Sequence, residues 1–317
     1  MSGSDIAKAI SVPAAVTRLR ETLEGGLDPE NDGLRNRLAT YDGGQFLQMP
    51  STSGQYTGTK LLTISPGNAS SGLPVIQGIY ALFGGPDQRP LAILDGRALT
   101  NLRTPAVSAL GALHLASSEP QRLLVFGTGP QAWEHIKAFN SVFALTGTGI
   151  VGRNQAAAQV LAARASAIGI EAEVATTDQV SEADIIICCT ASANPLFDGS
   201  LVRETSVVVS MGSHEPESRE LDDVLMSRAS ICVESLQSSQ REAGEIIQAM
   251  ASGAITGPDQ LITLADLVCG RRSIQEGRPA VFKTTGMPWQ DLAIAAAAFE
   301  IHSAETRAPS VVRAAAH

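Results

Sequence analysis

The chain has 317 residues, of which 44% are hydrophobic and 17% charged, and its formal net charge is −9. This composition is typical of a well-packed protein large enough for two domains, and it excludes a disordered chain. The acidic balance argues against nucleic acid as a partner, because phosphates attract basic surfaces. Neither a secretory leader nor an apolar run of membrane-spanning length is evident, so we expect a cytoplasmic protein without membrane partners.

The first hundred residues predict a small module of mixed elements. A helix is predicted over residues 12–23, and four short strand-like segments follow it, at residues 44–49, 60–64, 74–82 and 90–94. Turn signals such as Pro66-Gly67-Asn68 and Asp95-Gly96 separate these segments. We therefore expect an α+β module whose strands are mainly antiparallel.

From residue 104 onward, apolar strands alternate with helical patterns. After the first strand–helix–strand unit, helices are predicted at residues 155–168, 222–227 and 239–251, and strands at 171–175, 184–190, 206–211 and 230–234. This alternation predicts an α/β fold, a Rossmann-type doubly wound parallel sheet over residues 104–284. The sheet is then inserted in the first module, which comprises residues 1–103 plus 285–317 and includes a helix at residues 289–302.

A glycine-rich turn joins a predicted strand to a predicted helix at residues 123–132, which read Leu-Leu-Val-Phe-Gly-Thr-Gly-Pro-Gln-Ala. This arrangement binds dinucleotides. Gly127 permits the tight turn, Gly129 lets the backbone approach a pyrophosphate, and Ala132 keeps the helix close to the sheet. The pyrophosphate is then expected at the unpaired N–H groups of the helix N-terminus.

The end of the second predicted strand indicates which dinucleotide binds. An NAD site usually has an acidic residue there for the ribose hydroxyls, but this chain has Arg153, followed by Asn154. An arginine can pair with a 2′-phosphate, although a solvated arginine at the start of a helix is the alternative. We therefore expect NADP(H) as the cofactor.

Cysteine and histidine give no sign of a metal site. Cys188 and Cys189 are neighbours in a predicted strand and point to opposite faces, while Cys232 and Cys269 stand alone. The five histidines include no pair at metal-binding spacing. We expect buried, unreactive thiols and no metal.

Three cations of the first module are candidates for binding a substrate carboxylate: Arg37, Lys60 and Arg103. Arg103 precedes the nucleotide domain, at the cleft where a substrate would meet the nicotinamide. Two arginines and a lysine that converge would bind a carboxylate, and each arginine can bind it through two donors. Individually, each is more often a surface cation.

A series of motifs in a fixed order makes the chain similar to a known family. The motifs are Gln48-Met49-Pro50, Gly58-Thr59-Lys60-Leu61-Leu62-Thr63, Pro66-Gly67-Asn68, Ile93-Leu94-Asp95-Gly96, Thr100-x-x-Arg103-Thr104-x-Ala106-x-Ser108-Ala109, Gly127-x-Gly129-x-Gln131-Ala132, Arg219-Glu220-Leu221 and Gly286-x-x-x-x-Asp291-Leu292-Ala293. On these motifs the chain resembles the ornithine cyclodeaminase/μ-crystallin family over nearly its whole length.

The resemblance implies a Rossmann domain inserted in a substrate-binding and dimerisation module, a homodimer, and substrates that are α-amino or α-imino acids. It implies that Arg37, Lys60 and Arg103 hold the substrate carboxylate, with Arg35 as the alternative to Arg37. It also places Thr104 near the phosphates and Thr284 near the nicotinamide. The complete set of residues that we expect at the cofactor is Thr104, Gly127, Gly129, Pro130, Gln131, Ala132, Arg153, Asn154, Thr190, Met211 and Thr284.

One departure from the family pattern concerns His214. Cyclodeaminases and the archaeal type of alanine dehydrogenase carry an aspartate at the matching position. A histidine can donate a proton near neutral pH, which suits protonation of an imine, although a solvated loop histidine is the alternative.

The sequence thus predicts NADPH-dependent reduction of a cyclic α-imino acid, Δ1-pyrroline-2-carboxylate or Δ1-piperideine-2-carboxylate, to L-proline or L-pipecolate. Lys60 or His214 would keep the imine nitrogen protonated. The alternatives are an NAD-dependent, ammonia-releasing ornithine cyclodeaminase, an open-chain imine reductase or amino-acid dehydrogenase, and a non-catalytic NADPH-binding protein like μ-crystallin.

Overall fold

The structure, a computed structural model, describes residues 1–117, 119 and 121–307. Its first part is a five-stranded sheet with two helices before it. The elements are α1 (Gly3–Ala9), α2 (Val12–Glu24), β1 (Asn36–Ala39), β2 (Gln45–Ser53), β3 (Tyr56–Ile64), β4 (Ile76–Gly84) and β5 (Arg89–Asp95). The strands pair in chain order and every pairing is antiparallel, as the turn-separated segments predict.

A long helix, α3 (Gly96–Leu115), leads from this sheet into the second part of the fold. Asp95 caps the helix by accepting hydrogen bonds from the backbone N–H groups of Arg97 and Ala98, each at 3.0 Å. Most of α3 is buried. Because the helix is rigid and buried, it fixes Arg103 and Thr104 on its first turns relative to both sheets.

The second part is an eight-stranded parallel sheet with helices on its faces. Its elements are β6 (Gln121–Phe126), α4 (Pro130–Val142), β7 (Leu145–Val151), α5 (Gln155–Ser166), β8 (Ala172–Val174), β9 (Ile185–Cys188), β10 (Val207–Ser210), α6 (Asp223–Arg228), β11 (Ser230–Val233), α7 (Leu236–Glu242), α8 (Gly244–Ser252), β12 (Leu261–Thr263), α9 (Leu264–Val268) and β13 (Ala280–Lys283). The strand order is β12-β11-β13-β10-β9-β6-β7-β8. The predicted doubly wound Rossmann sheet is confirmed.

The central strands are apolar because both of their faces are covered. All residues of β9, β10, β11 and β13 are buried, and the parallel pairs align Ile185 with Val207 and Val207 with Ala280. Continuous apolar runs of this kind are typical of strands inside a parallel sheet. The carboxyl ends of these strands consequently meet along one edge, facing the antiparallel sheet.

Several elements differ from the predictions, among them α1, β1 and α9, which the sequence analysis did not predict. The helix predicted over residues 239–251 is two helices, α7 and α8, which meet at Ala243. Gly244 packs so tightly against the carbonyl oxygen of Ser218 that a Cβ atom there would clash with it. The sequence analysis missed β12 and β13, which are short, and β13 lies between β10 and β11.

The last element, α10 (Pro288–Arg307), packs on the first module, against α2, α3 and the strands β2 and β3. Trp289 and Asp291 are buried near its start. The predicted return of the C-terminal helix to the first module is therefore confirmed, whereas the domain boundaries at residues 103 and 284 stay predictions. In the described ranges, no helix combines the length and the apolar character that crossing a membrane needs.

Candidate active site

A cavity of about 310 Å³ lies between the antiparallel sheet and the carboxyl edge of the parallel sheet. The antiparallel side contributes Lys60 and several aliphatic side chains, and α3 contributes Arg103 and Thr104. The parallel side contributes the glycine-rich turn and the loops that follow β9, β10 and β13. Ligand sites of doubly wound sheets form at this edge, so the cavity is the candidate active site.

Lys60 is the buried cation at the centre of this site. It lies on β3, its side chain is 1% exposed, and its Nζ donates to Asp291 Oδ2 on α10 at 2.7 Å and to Thr100 Oγ1 at 3.3 Å. Burial lowers the pKa of Lys60 to about 7, Asp291 opposes that change, and Arg103 adds to it. A lysine of this pKa exchanges its proton readily near neutral pH.

Arg103 lies beside Lys60 and shares its carboxylate partner. The Nε atom of Arg103 is 3.4 Å from Asp291 Oδ1, and its Nη1 donates to Gln290 Oε1 at 3.2 Å. Gly286 has a φ of +80°, and a Cβ atom there would lie 2.7 Å from Nη1 of Arg103. A glycine is therefore required at this position both by the backbone conformation and by the packed guanidinium.

The third cation of the cavity is Arg35, whose side chain is 8% exposed. Its Nη1 donates to Glu242 Oε2 at 2.8 Å, and its Nη2 donates to the carbonyl oxygens of Thr285 at 2.9 Å and Gly286 at 2.8 Å. The residue lies just before β1, in a segment without regular structure. These bonds to α7 and to the loop after β13 hold it against the cavity.

Glu234, a buried residue that follows β11, organises the loop that contacts both arginines. Its Oε2 accepts from the backbone N–H groups of Thr285 at 2.8 Å and Gly286 at 2.9 Å, and its Oε1 accepts from Gln290 Nε2 at 2.6 Å. Gln290 in turn accepts from Arg103. One carboxylate thus fixes the backbone beside Arg35 and the side chain beside Arg103.

Arg37 does not line the cavity. Its Nη1 donates to both carboxylate oxygens of Glu215, at 2.8 and 2.9 Å, and both side chains are about one third exposed. Residues two apart in an extended segment normally point to the same side. Arg35 and Arg37 nevertheless have different surroundings, because only Arg35 is held by α7 and the loop after β13. The structure therefore places Arg35, rather than Arg37, beside Lys60 and Arg103.

His214 does line the cavity, on the loop after β10. Its pKa is lowered to about 4, because the side chain, which is about one third exposed, is partly removed from water and lies near the cations Arg35, Arg37 and Lys283, which outweigh the nearby Glu215. The imidazole is consequently neutral at pH 7. A neutral imidazole can accept or donate a hydrogen bond, but it is a poor acid.

The glycine-rich turn fits a dinucleotide. Gly127 has a φ of +122°, and a Cβ atom there would lie 2.6 Å from the carbonyl oxygen of Cys189, whereas a Cβ atom on Gly129 would meet open space. No side chain caps the N-terminus of the 13-residue helix α4. The side-chain oxygens Thr104 Oγ1 and Gln131 Oε1 are buried without a hydrogen-bond partner among the described residues. The free backbone N–H groups at the start of α4 and the hydroxyl of Thr104 can donate hydrogen bonds to a pyrophosphate.

A second cavity, of about 710 Å³, continues from the turn along the ends of β6 and β7. Gly127, Arg153, Asn154 and Thr190 line it. Arg153 is exposed, and the Asn154 side chain caps α5 by accepting from Ala157 N at 3.1 Å. This is the position at which the second strand of a Rossmann fold meets the adenosine ribose.

Buried charges support the floor of the active site from behind. Glu220 accepts from the backbone N–H and hydroxyl of Thr190, at 2.8 and 2.7 Å, and from Gly212 N at 2.9 Å. Behind it, Lys283 pairs with Glu245 at 2.9 Å. These bonds fix the loops after β9 and β10, on which Thr190 and Met211 lie.

The structure thus brings most of the predicted residues together. Those on the first cavity are Lys60, Arg103, Thr104, Gly129, Pro130, Gln131, Thr190, Met211, His214 and Thr284. Ala132, on the first turn of α4, is buried and lines neither cavity. The sequence analysis missed Asp291 as a site residue, although the motif Gly286-x-x-x-x-Asp291 contained it, and it missed Glu234, for which the sequence carries no signal.

Residues 10–305 match the model of the ornithine cyclodeaminase/mu-crystallin family. The chain belongs to this family. The resemblance drawn from the motifs is thereby confirmed.

Members of the family include named reductases and dehydrogenases. Δ1-pyrroline-2-carboxylate reductase of Paracoccus denitrificans is 36% identical over 245 residues, which cover 75% of this chain and 77% of the relative. The solved structure of Thermococcus litoralis Δ1-pyrroline-2-carboxylate reductase with NADH and L-proline is 25% identical, with a TM-score of 0.89 and coverage of 96% of this chain and 98% of that one. An archaeal alanine dehydrogenase dimer with bound NAD is 25% identical, with a TM-score of 0.88 and 96% coverage of both chains. The protein is therefore a nicotinamide-dependent oxidoreductase that acts on C=N or CH–NH bonds, as predicted.

Proposed function

We propose that the protein reduces a cyclic α-imino acid, Δ1-pyrroline-2-carboxylate or its six-membered homologue, to the L-amino acid with NADPH. The observation that carries this proposal is Lys60, a buried lysine whose pKa is about 7, set between two arginines in the cavity next to the glycine-rich turn. This combination offers an anion site and a proton donor at the place where a nicotinamide would supply hydride.

In the proposed reaction Arg35 and Arg103 bind the substrate carboxylate, which turns the C=N bond towards the cofactor. Both guanidiniums are held by carboxylates and carbonyls, so little reorganisation is needed on binding. Arg35 replaces Arg37, the residue first expected in this role. Positioning of this kind supplies several kcal/mol of the barrier reduction.

Lys60 donates the proton to the imine nitrogen. The nitrogen gains a positive charge, Lys60 becomes a neutral amine, and Asp291 accepts the remaining hydrogen bond. When bound, NADPH supplies hydride to the imine carbon, which yields the amino acid and NADP⁺. Lys60 suits this step better than His214, because the imidazole has a pKa of about 4 and carries no acidic proton at neutral pH.

The preference for NADPH rests on Arg153. Its exposed guanidinium lies at the mouth of the second cavity, beside Asn154 and close to the expected 2′-position of the adenosine ribose. Pairing with a 2′-phosphate needs only a short side-chain movement, whereas an NAD-specific site would need a carboxylate there.

We also propose a homodimer formed through the antiparallel sheet. On one face of this sheet Ile79 and Ile93 are 44% and 55% exposed, and Leu38 on β1 is 65% exposed. Apolar side chains clustered on an open sheet favour an interface. The related archaeal alanine dehydrogenase is a dimer.

The function is tested by NADPH oxidation with Δ1-pyrroline-2-carboxylate and Δ1-piperideine-2-carboxylate, in parallel with ammonia release from L-ornithine and NAD⁺. We expect turnover of at least one cyclic imino acid and no release of ammonia. Release of ammonia without imine reduction would instead identify a cyclodeaminase.

A further inference from the structure

An apolar wall extends from Lys60 across the antiparallel sheet. Neither the two arginines that bind the substrate carboxylate nor the proton donor accounts for it. Leu47 and Met49 of β2 and Leu62 and Ile64 of β3 line the same cavity as Lys60, and Ile76 of β4 completes the wall. These five aliphatic residues are called the aliphatic wall below.

The strand register orders the aliphatic wall. Met49 pairs with Lys60 and Leu47 pairs with Leu62, while Ile76 pairs with Ile64. Each row is two residues further along β3, which is about 6.6–6.8 Å. The wall therefore continues for about 13 Å beyond the Lys60 row.

In the second row the third strand contributes Gly78, opposite Leu62, and a Cβ atom there would lie only 2.7 Å from Leu62 Cβ, so this row is closely packed. In the third row Ile76 is 39% exposed, so this end of the wall opens to solvent. A five- or six-membered ring resting beside Lys60 covers only the first row. The remaining rows form a surface for further hydrocarbon.

The charges of the cavity restrict what can lie on this wall. Lys60 and Arg103 share the single carboxylate of Asp291, which leaves one positive charge for one substrate carboxylate. Among the residues that the structure describes, no aspartate or glutamate lines the cavity. A second ammonium group would thus lack a counter-ion, and a second carboxylate would face aliphatic carbon, and both are costly.

We propose that the aliphatic wall is a subsite for the hydrocarbon part of the substrate, so that the enzyme takes α-imino monocarboxylates with alkyl or aryl groups extending beyond the ring. Dicarboxylates and diamino acids are excluded by the same surface. This inference rests on the proposed binding of the substrate carboxylate by the two arginines, and it adds the chemical class of the substituent that the imino acid carries.

The test measures binding instead of turnover, so it does not depend on imine reduction. Acetate, butanoate and hexanoate are titrated calorimetrically into the enzyme–NADP⁺ complex, together with two probes of matched length, hexanedioate and 6-aminohexanoate. Each methylene that reaches the wall raises affinity about fourfold. The two probes with a second charged end bind at least about tenfold more weakly than hexanoate.

A variant tests whether the aliphatic wall causes the dependence of affinity on chain length. Leu62→Ser, in the second row, flattens the dependence of affinity on chain length, while the matched control Leu113→Ser, on the exposed surface of α3, leaves it unchanged. If Leu62→Ser does not fold, the series on the unmodified enzyme still decides the question. Affinity that is independent of chain length, or equal binding of hexanoate and hexanedioate, overturns the inference. Absence of imine reduction with a steep chain-length series would contradict the proposed reaction and leave the subsite standing.

Discussion

Replacing Asp291 with asparagine is the sharpest test of how Lys60 works. Asp291 Oδ2 lies 2.7 Å from Lys60 Nζ, and both side chains are buried. The carboxylate counteracts the desolvation that lowers the pKa of Lys60 to about 7. Asparagine keeps the shape and one oxygen acceptor but removes the charge, so the ammonium form of Lys60 loses its main stabilising partner.

The size of the effect follows from the separation of the two groups. An opposite charge this close is worth about one to three pKa units, and each unit is about 1.36 kcal/mol. Lys60 must be protonated to act as the acid, so kcat/KM is highest below the pKa and falls as the pH rises through about 7. In Asp291→Asn this fall begins at lower pH, and kcat/KM at pH 8 is at least about tenfold below that of the unmodified enzyme.

The assay is the pH dependence of kcat/KM for imino-acid reduction at saturating NADPH. The ionisation of the substrate is common to both enzymes and cancels in the comparison. Lys60→Arg serves as the control, since arginine stays charged over the whole range and removes the titration attributed to Lys60. A descending limb that keeps its position in Asp291→Asn, or that persists in Lys60→Arg, would refute Lys60 as the proton donor.

The other predictions concern the cofactor, the clamp and the assembly. Arg153→Ala should weaken NADPH binding about ten- to hundredfold, from loss of a charge-assisted hydrogen bond, with NADH binding nearly unchanged; equal losses in fluorescence titrations would mean a structural role. Arg35→Ala should raise the KM for the imino acid about ten- to hundredfold, whereas Arg37→Ala, outside the cavity, should change it less than about twofold, and the reverse order would restore Arg37 to the clamp. Glu234→Gln should raise the same KM while NADPH affinity holds, because it loosens the loop beside both arginines; a parallel loss of cofactor affinity would contradict this. Light scattering at micromolar concentration should give a dimer, and a monomer would argue against the exposed sheet face as an interface.

Much of the fold could be predicted because its signals are local. The apolar strands of the parallel sheet are buried on both faces and read as continuous runs, such as Ile185–Cys188. The glycine-rich turn needs a positive φ at Gly127, which few other residues tolerate. The four-residue strand β13 was missed although β10 and β11, which are as short, were predicted, and its place between them is decided by packing alone.

Site residues could be predicted where the residue type itself indicates the chemistry. They could not be predicted where the role of a residue depends on its position in the folded chain. Lys60 and Arg103 were identified from charge and motif, and the structure places them side by side. The choice between Arg35 and Arg37 depends on Glu242, which is more than 200 residues away in the sequence. The low pKa of His214 likewise depends on its partial burial and on cations from two other segments, Arg35 and Arg37 in one and Lys283 in the other. The residue type alone predicted a proton donor, but these surroundings leave the imidazole neutral.

The most direct test of the central claim is transfer of the cofactor's hydrogen to the imine carbon. The enzyme is incubated with NADPH deuterated at nicotinamide C4, on the transferred face, and with Δ1-pyrroline-2-carboxylate, and the product is examined by mass spectrometry and chiral chromatography. We expect L-proline that carries one deuterium at Cα. Proline without deuterium, or no reduced product from either cyclic imino acid in the parallel assay, would contradict the proposed reaction.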